Sequence, residues 1–527
     1  MKLPKKYLSA KGLLGIIRNQ FAKIDLPYAR VERGTPITLV DCLMSGLAVF
    51  SLKYPSLLKF DESLSEKITR HNLRTLFGVE QAPSDTYMRE RCDEVEPNAV
   101  RQAFKRVFAC VQRGKALEEF EYLLKGHYLL AGDGTGFFSS PSVHCENCCS
   151  KHYGQCHVII RSTRPKTAKK NTYVLIKPVD SPWGDEWTLF FVDGKRKWVM
   201  IDLNALPELN ALLKGRTKRD LLETERTRID EILTEHYRLL QPDEQVHYYH
   251  NMFCAAIVHP DKKIVLPLAP EAIAKTDGST KNDCERNAAK RLYSDARREH
   301  PHLKFIVVED ALASNMPHLR DLNELDMRYI VGVKPGDHEF LFEWLEGADC
   351  MEYCQTTTDG MTHHYRYKNQ APLNRSHADF KVNFLEYWET DKKGKVKHFS
   401  WVTDIVITQE NLYDLMRGGR SNWKIENNAF NTLKNQNYHF SHNFGHGYKN
   451  LSTIFGMLMM LAFFVDQVQE LSCHLFQEAR ARYRSRTSLW ERMRGYFLHY
   501  FVDSWHDLYI AISSGGKYGA HLIIDDG

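Results

Sequence analysis

Three acidic residues in this sequence have surroundings that suit metal-dependent chemistry. Asp133 ends the apolar run His127–Asp133, and Asp310 ends the run Leu303–Asp310. Glu426 lies in a later segment with helical spacing. Two acids at the carboxyl ends of separate strands and one acid on a helix can meet at one edge of a sheet. Carboxylate oxygens at such an edge hold divalent cations, and two ions about 3.5–4 Å apart catalyse phosphodiester chemistry.

Neighbouring acids leave the choice of ligands open at two points. Successive strand residues point to opposite faces, so only one of Glu309 and Asp310 can enter the site. We expect Asp310, because it stands last in the strand, and Glu309 is the next candidate. Asp283 and Glu285 also compete, but they begin a predicted helix, where the helix dipole already favours acids. A single acid after a strand is usually an ordinary turn residue, so the prediction rests on all three acids together.

The segment Ser421–Asn435 is predicted to be the helix that carries the third acid. Its spacing predicts one core-facing stripe (Ile425, Ala429, Leu433) and an adjacent stripe (Asn422, Glu426, Phe430, Lys434). Glu426 would then project from a packed helix toward the sheet edge. The predicted cofactor of the three acids is Mg²⁺, with Mn²⁺ as a substitute.

A second candidate metal site lies soon after the first acid. The segment His144–His157 contains the pair Cys-x2-Cys at Cys145 and Cys148, followed by Cys149, His152, Cys156 and His157. Thiolates and imidazoles at such spacing suit tetrahedral Zn²⁺. The predicted ligands of this structural Zn²⁺ are Cys145, Cys148, Cys156 and His157, and ordinary reduced cysteines are the alternative.

The order of apolar and helical segments predicts a ribonuclease-H-like α/β fold with a mixed sheet. After the first strand come a strand, a turn and a second strand, then a helix, a strand, a helix and a strand. The segments after the first strand are Val246–Val258, Ile264–Leu268, Asn282–His300, Leu303–Asp310, Pro317–Leu325 and Met327–Val333.

The same pattern predicts the division of the chain. Residues 1–125 are helical and form a DNA-binding domain, with a plain oligomerisation domain as the alternative. The nuclease core is expected in two parts, with insertions and a basic C-terminal region around them. The predicted parts are 126–335 (with an inserted subdomain at about 157–245), the β-rich insertion 336–407, the second core part 408–476 and the helical, basic region 477–527.

Composition agrees with a soluble protein that contacts a polyanion. The chain has 527 residues, a net charge of +5 and several basic runs interleaved with aromatic residues. The longest apolar run, Ile454–Val465, is shorter than the ~20 residues of a membrane-spanning helix, so we expect no membrane association. The 12 cysteines are too sparse for a disulfide scaffold, and no signal peptide is evident. We therefore expect a cytoplasmic, nucleoid-associated protein.

Several segments resemble DDE transposases of bacterial insertion sequences. The segment Trp423–Lys434 resembles the Glu-bearing helix of that family, and Gly132–Thr135 and Val307–Asp310 resemble the blocks with the first and second acids. Lys281–Ala288 and His442–Gly447 look like further family blocks. The resemblance covers about 125–467.

The resemblance implies nicking of a transposon end, attack of the freed 3′-hydroxyl on target DNA, Mg²⁺ as cofactor and a β-rich insertion before the Glu helix. The chain also departs from the family's residue pattern on the Glu helix. Well-described relatives carry Tyr-x2-Arg-x3-Glu-x6-Lys on that helix, whereas this chain has Gly419 and Asn422 at the Tyr and Arg positions and Lys434 one place late. A hairpin-forming route is therefore in doubt.

The expected partners are transposon-end DNA and target DNA, bound by a homodimer or a higher synaptic complex, because joining two ends requires two active sites. The helix Tyr448–Phe476 is a candidate dimer interface. The predicted DNA contacts are Arg420, Asn422, Trp423, Lys434, His442 and His446. The alternatives are an inactive DNA-binding relative and a ribonuclease-H-like nuclease without strand transfer. A cysteine–histidine hydrolase has no support beyond scattered residues.

Overall fold

The computed structural model describes residues 8–25, 37–145, 147–153, 158–161, 173–176, 191–192, 195–196, 198–202, 207–213, 221–225, 227–229, 231–232, 245–274, 277–278, 281–358 and 360–516. The chain forms two compact units. The first comprises Met1–Ser140, His144–Cys149 and Tyr249–Gly527, and the second comprises Pro141–Val143 and Ser150–Tyr248. The predicted subdomain at about 157–245 lies within the second unit's range.

The N-terminal part of the first unit is helical. Thr38 and Ser84 begin helices as N-caps, and each side chain accepts a hydrogen bond from the backbone three residues later. Helix α2 is buried on all sides from Asp41 to Ser51, and the apolar side chains of the neighbouring helices pack around it. The elements are α1 (Ala10–Phe21), α2 (Leu39–Ser51), α3 (Leu57–Ser63), α4 (Lys67–Asn72), a π-helical turn (Leu73–Phe77), α5 (Asp85–Asp93), α6 (Pro97–Arg113) and a 3₁₀ turn (Ala116–Phe120).

Strand β1 (His127–Ser140) follows these helices. Six short strands and a helix come next, most of them within the range of the second unit. In that unit β3, β7 and β4 form an antiparallel sheet, and β5 pairs with β6. These elements are β2 (Cys149–Tyr153), β3 (Val158–Arg161), β4 (Tyr173–Ile176), β5 (Phe191–Val192), β6 (Lys195–Arg196), β7 (Trp198–Asp202) and α7 (Pro207–Leu213).

The central sheet of the first unit is mixed. Its elements in chain order are β8 (Gln245–Val258), β9 (Leu266–Pro267), β10 (Glu271–Ile273), α8 (Lys281–Glu299), β11 (Lys304–Glu309), a 3₁₀ turn (Ala311–Ala313), α9 (Met316–Glu324) and β12 (Arg328–Gly332). The strands lie side by side in the order β10, β8, β1, β11, β12, and β9 also pairs with β8.

Parallel pairing fixes the positions of the first two acids. Strand β1 runs parallel to β11, with Ala131 opposite Val308, and β11 runs parallel to β12. Asp133 lies two residues beyond Ala131, and Asp310 lies two residues beyond Val308. Both acids therefore lie just beyond the paired part of β1 and β11. Strand β1 continues to Ser140, however, so Asp133 lies within its strand and not at the strand's end, where the sequence predicted it.

The β-rich segment continues the same sheet. Strand β16 pairs antiparallel with β12, and β15, β14 and β13 follow outward. Without β16 the backbone groups of β12 would lie unpaired at a sheet edge. The elements are α10 (Glu339–Glu346), β13 (Met351–Thr356), β14 (Thr362–Pro372), a 3₁₀ turn (Arg375–His377), β15 (Lys381–Thr390) and β16 (Val396–Thr403).

The remaining elements return to the edge that carries the acids and then form a helical C-terminal part. They are α11 (Leu412–Arg420), a π-helical turn (Ile425–Phe430), α12 (Asn431–Asn435), α13 (Leu451–Ser472), α14 (His474–Ala481), α15 (Arg486–His499) and α16 (Trp505–Ser514).

Helix α13 is long and apolar enough to cross a membrane by length and composition, but 94% of its most apolar window is buried inside the protein. It packs against α2, α5 and α6. The candidate dimer interface at Tyr448–Phe476 is therefore corrected. Its helix is part of the core, because the apolar residues surround the helix rather than forming one stripe.

Candidate functional site

Asp133, Asp310 and Glu426 line one cleft of about 630 Å³ at the edge of the sheet. Strands β1 and β11 supply the two aspartates, and the π-helical turn after α11 supplies the glutamate. Strand β16 contributes Trp401 to another wall of the cleft. The three sequence-predicted acids are thus brought together from segments almost 300 residues apart along the chain.

The two neighbouring acids at the end of β11 have different environments. Asp310 is exposed, and its carboxylate accepts a hydrogen bond from the backbone N–H of Leu312 at 2.9 Å. Glu309 is only 4% exposed. Its carboxylate accepts a hydrogen bond from the Tyr293 hydroxyl at 2.9 Å and lies 2.7 Å from Nε2 of His318. Both acids line the cleft, but Glu309 is buried with hydrogen-bonding partners in the interior, whereas Asp310 is the exposed acid of the two.

Asp133 lies in a strongly anionic environment. Burial, Glu285, Asp310 and Glu426 together raise its pKa to about 7, although a hydrogen bond from the backbone N–H of Gly134 opposes the shift. The Glu285 carboxylate on α8 lies so close that a Cβ at Gly134 would be 2.7 Å from its carboxyl carbon. A larger residue at Gly134 would force the Glu285 carboxylate to move away from β1.

Glu426 is exposed at the start of a π-helical turn rather than in a regular α-helix. The wider turn changes the predicted stripes. Ile425, Ala429 and Leu433 are buried as expected, but Phe430, which was predicted beside Glu426, is also buried. The i→i+5 spacing of a π-turn rotates the following residues, and such turns are frequent at functional sites.

One cation stands near these acids. The pKa of Lys434 is lowered by burial, while the charges of Asp133 and Glu426 act in the opposite direction. Lys434 therefore lies close to Asp133 and Glu426. Its single positive charge can neutralise only part of the negative charge of the three acids.

The other predicted DNA contacts on this segment have distinct environments. Trp423 is 65% exposed at the cleft, which disagrees with a core role. Asn422 also lines the cleft, and its buried Oδ1 has no hydrogen-bond partner among the described residues. Arg420 is half-buried and forms an ion pair of 2.7 Å with Glu389 on β15. Arg420 therefore joins the β-rich segment to the Glu426 segment.

The departure from the family motif at Gly419 has a steric cause. A Cβ at Gly419 would lie 2.5 Å from Nε1 and 2.7 Å from Cε2 of Trp401 on β16. No larger side chain fits between α11 and the β-rich segment at this point. The Tyr of the family motif therefore cannot be accommodated here.

A second cluster contains thiols and imidazoles. Cys145, Cys148, His250 and His446 each offer one ligand atom, and these four atoms lie within 4.8 Å of one another. All four residues belong to the first unit. Cys145 and Cys148 were predicted as metal ligands, but the structure pairs them with two histidines that come from β8 and from the loop before α13. The other two predicted ligands, Cys156 and His157, lie outside the described residues.

The two histidines predicted as DNA contacts differ in exposure. His446 is 4% exposed, and its Nδ1 lies 2.9 Å from the Cys148 sulfur. This burial corrects its expected role at the DNA surface. His442 is exposed and packs edge-on against Phe444, with 4.8 Å between ring centroids.

Two residues of these sites were missed by the sequence analysis. Glu285 was set aside because an acid at a helix start has an ordinary explanation, and the spacing of α8 could not show that it faces β1. His250 carried no local signal, since its partners lie 102 and 196 residues away in sequence.

Comparisons with known proteins give distant similarity to solved structures. No protein-family model and no curated protein matches the chain. The chain is similar to a chain in the cryo-EM structure of a piggyBac transposase synaptic complex with hairpin DNA. The TM-score is 0.35 with 9% sequence identity, and the match covers 97% of this chain and 80% of that chain.

Proposed function

We propose that the protein is a DNA transposase with a DDE active site formed by Asp133, Asp310 and Glu426. The observation that carries the proposal is the meeting of these three carboxylates in one cleft, with Asp133 and Asp310 each two residues beyond the last residue pair of β1 and β11. The strand order β10, β8, β1, β11, β12 supports a ribonuclease-H-like core. Strand β1 is central in this order. The strands β11 and β12 follow it and run parallel to it, and the antiparallel pair of β8 and β10 precedes it.

The residues of the cleft fit a divalent cation. Burial and the charges of neighbouring acids raise the pKa of Asp133 to about 7, and the charges of Asp133 and Glu426 both act on the ammonium group of Lys434. Hard carboxylate oxygens are the ligands that Mg²⁺ and Mn²⁺ prefer. Bound Mg²⁺ would polarise the phosphodiester and stabilise the charge that develops on its oxygens.

The proposed reaction has two balanced steps. In the first, a water oxygen attacks the scissile phosphorus at the transposon end, the P–O3′ bond breaks and the departing 3′ oxygen takes up a proton. In the second, that 3′-hydroxyl loses its proton as its oxygen attacks a phosphorus of target DNA, the target P–O3′ bond breaks, and the departing target 3′ oxygen takes up a proton. The second step therefore breaks one phosphodiester bond of the target and forms one phosphodiester bond to the transposon end.

The residues around the acids suit a DNA substrate. Exposed Trp423 offers a flat apolar face to an unpaired base, and Lys434 offers a cation to the phosphate next to the acids. Asn422 lines the same cleft beside Trp423. We further propose that two protomers act on paired ends at the nucleoid, since each protomer has one such cleft.

A nicking and joining assay tests this proposal. The DNA is a duplex that carries the inverted repeats flanking the coding sequence, and the readouts are Mg²⁺-dependent nicks and joined products. Glu426→Gln is expected to abolish both, whereas Glu410→Gln, an exposed acid away from the cleft, is expected to leave both unchanged. Nicking without joining would identify a nuclease, and binding without nicking by the unsubstituted protein would identify an inactive relative.

A further inference from the structure

We propose that Cys145, Cys148, His250 and His446 bind one structural Zn²⁺ ion. The four residues come from three separated parts of the chain, and each directs a ligand atom to a common point. This site is independent of the proposed transposase function, because none of its residues lines the acidic cleft.

Three of five distances between the ligand atoms are close to those around a tetrahedral ion, and the two that involve Nδ1 of His446 are shorter. With Zn–S bonds of about 2.3 Å and Zn–N bonds of about 2.0–2.1 Å, a regular tetrahedron has edges of about 3.8 Å (S to S), 3.6 Å (S to N) and 3.3 Å (N to N). The two sulfurs are 3.6 Å apart, and each lies 3.5 Å from Nε2 of His250. Nδ1 of His446 lies 2.9 Å from the Cys148 sulfur and 3.0 Å from Nε2 of His250.

The imidazoles are held in orientations that suit metal binding. Nδ1 of His250 lies 3.3 Å from the Ser452 hydroxyl on α13, so a proton on Nδ1 leaves the Nε2 lone pair directed at the cluster. His446 lies in a loop that Asp93 fixes. The Asp93 carboxylate accepts hydrogen bonds of 2.8–3.0 Å from the backbone N–H groups of Tyr448, Lys449, Asn450 and Leu451.

The composition of the cluster favours a structural role over a catalytic one. Cys148, His250 and His446 are buried, and four protein ligands complete a tetrahedron without a position for water or substrate. Soft thiolates with imidazoles select Zn²⁺ over Mg²⁺.

The position of the cluster in the chain suggests what the ion would stabilise. The first unit is interrupted by the second after Cys149 and resumes at Tyr249. Cys145 and Cys148 lie just before this interruption, His250 lies just after it, and His446 lies in the loop that leads to α13. One ion would thus fix both ends of a 99-residue excursion, Ser150–Tyr248, to the helical core of the first unit.

Metal analysis of the full-length protein, purified without chelator, tests the proposal. About one equivalent of zinc is expected in the unsubstituted protein and in Asp133→Asn, which removes a ligand from the acidic cleft only. Cys148→Ser, His250→Ala and His446→Ala are each expected to lose most of this zinc. Replacement by Co²⁺ is expected to give the visible absorption of a tetrahedral thiolate site.

Two neighbouring residues give matched controls. Cys149→Ser changes the adjacent thiol, which accepts a hydrogen bond from Asn251 instead of facing the cluster, and His442→Ala changes an exposed histidine of the same loop. Both are expected to retain zinc. Zinc below a few tenths of an equivalent in the unsubstituted protein, a Cys145–Cys148 disulfide in its place, or retention of zinc in His250→Ala and His446→Ala would each overturn the proposal. The unsubstituted protein decides the first two outcomes even if a variant fails to fold.

Discussion

The acidic cleft and the cysteine–histidine cluster assemble side chains from distant segments in opposite ways. In the cleft, Asp310 and Glu426 are exposed, the proposed ligands are hard oxygens, and burial together with neighbouring acids raises the pKa of Asp133. In the cluster, Cys148, His250 and His446 are buried, and the proposed ligands are sulfur and nitrogen. The comparison separates an open cleft, proposed to admit substrate, from a buried cluster, proposed to enclose one ion.

The largest expected effect concerns chemistry in the cleft. Asp133→Ala, Asp310→Ala and Glu426→Ala each remove a proposed metal ligand, and we expect end nicking to fall by roughly a thousandfold or more, since the lost charge stabilisation is several kcal/mol. End binding should remain, because most affinity comes from phosphate contacts. Nicking and binding are measured on the same labelled duplex. A variant that keeps a substantial fraction of cleavage would show that its acid is misassigned, and Glu309 would replace Asp310.

Stability should respond in opposite directions at the two sites. Cys148→Ser is expected to destabilise the protein by on the order of 3 kcal/mol or more, because ligand loss removes the binding energy of the ion from the folded state. Asp133→Asn should stabilise the metal-free protein at pH 8 by roughly 2–4 kcal/mol, because it removes a buried charge from a group of like charges. Thermal unfolding with and without chelator measures both, with Cys149→Ser as the control. Stability changes of the same size and direction in Cys148→Ser and Asp133→Asn would contradict the proposed difference between the two sites.

The pH dependence of metal-free stability sharpens the comparison further. The folded pKa of Asp133, about 7, exceeds its unfolded value near 3.8, so the folded state binds the extra proton between these values. The stabilisation that this proton binding gives the folded state is therefore fully present below about pH 4 and is lost as the pH rises through 7. Asp133→Asn should flatten this part of the profile and Glu285→Gln should shift it to lower pH. A profile unchanged by both substitutions would contradict the charge coupling.

Smaller effects are expected for DNA contacts at the cleft. Lys434→Ala should reduce the slope of log affinity against log salt by about one phosphate contact. Trp423→Ala should weaken binding by roughly 1–3 kcal/mol if a base stacks on the indole. Arg420→Ala should instead lower stability, since its guanidinium pairs with Glu389. Salt-titrated binding assays measure the effects of Lys434→Ala and Trp423→Ala, and thermal unfolding measures the effect of Arg420→Ala. An unchanged slope for Lys434→Ala would move that residue out of the interface.

Two acids of the cleft could be proposed from the sequence because Asp133 and Asp310 each follow a short apolar run, although β1 continues beyond Asp133 to Ser140. Parallel pairing of β1 and β11 then brings Asp133 and Asp310 to one edge, and this needs only local pattern and strand order. The β-rich segment was recognised, but the pairing of β16 with β12 was not, because register depends on contacts between distant strands.

Other features depended on packing that the sequence does not display. The π-helical turn at Glu426 buries Phe430, whereas a regular helical period predicts Phe430 beside Glu426. His250 and His446 complete the cysteine cluster only because β8 and the Asp93-bound loop meet there. Local spacing suggested nearby Cys156 and His157 instead, since a metal motif read along the chain favours close neighbours.

The most direct test of the central claim is a change of metal preference in the nicking assay. Asp133→Cys and Asp310→Cys replace a hard carboxylate by a thiolate, which binds Mg²⁺ poorly and accepts the softer Mn²⁺. We expect both variants to bind end DNA, to lack nicking with Mg²⁺ and to regain measurable nicking with Mn²⁺. Nicking by either variant at the unsubstituted rate with Mg²⁺ would contradict metal binding by that aspartate.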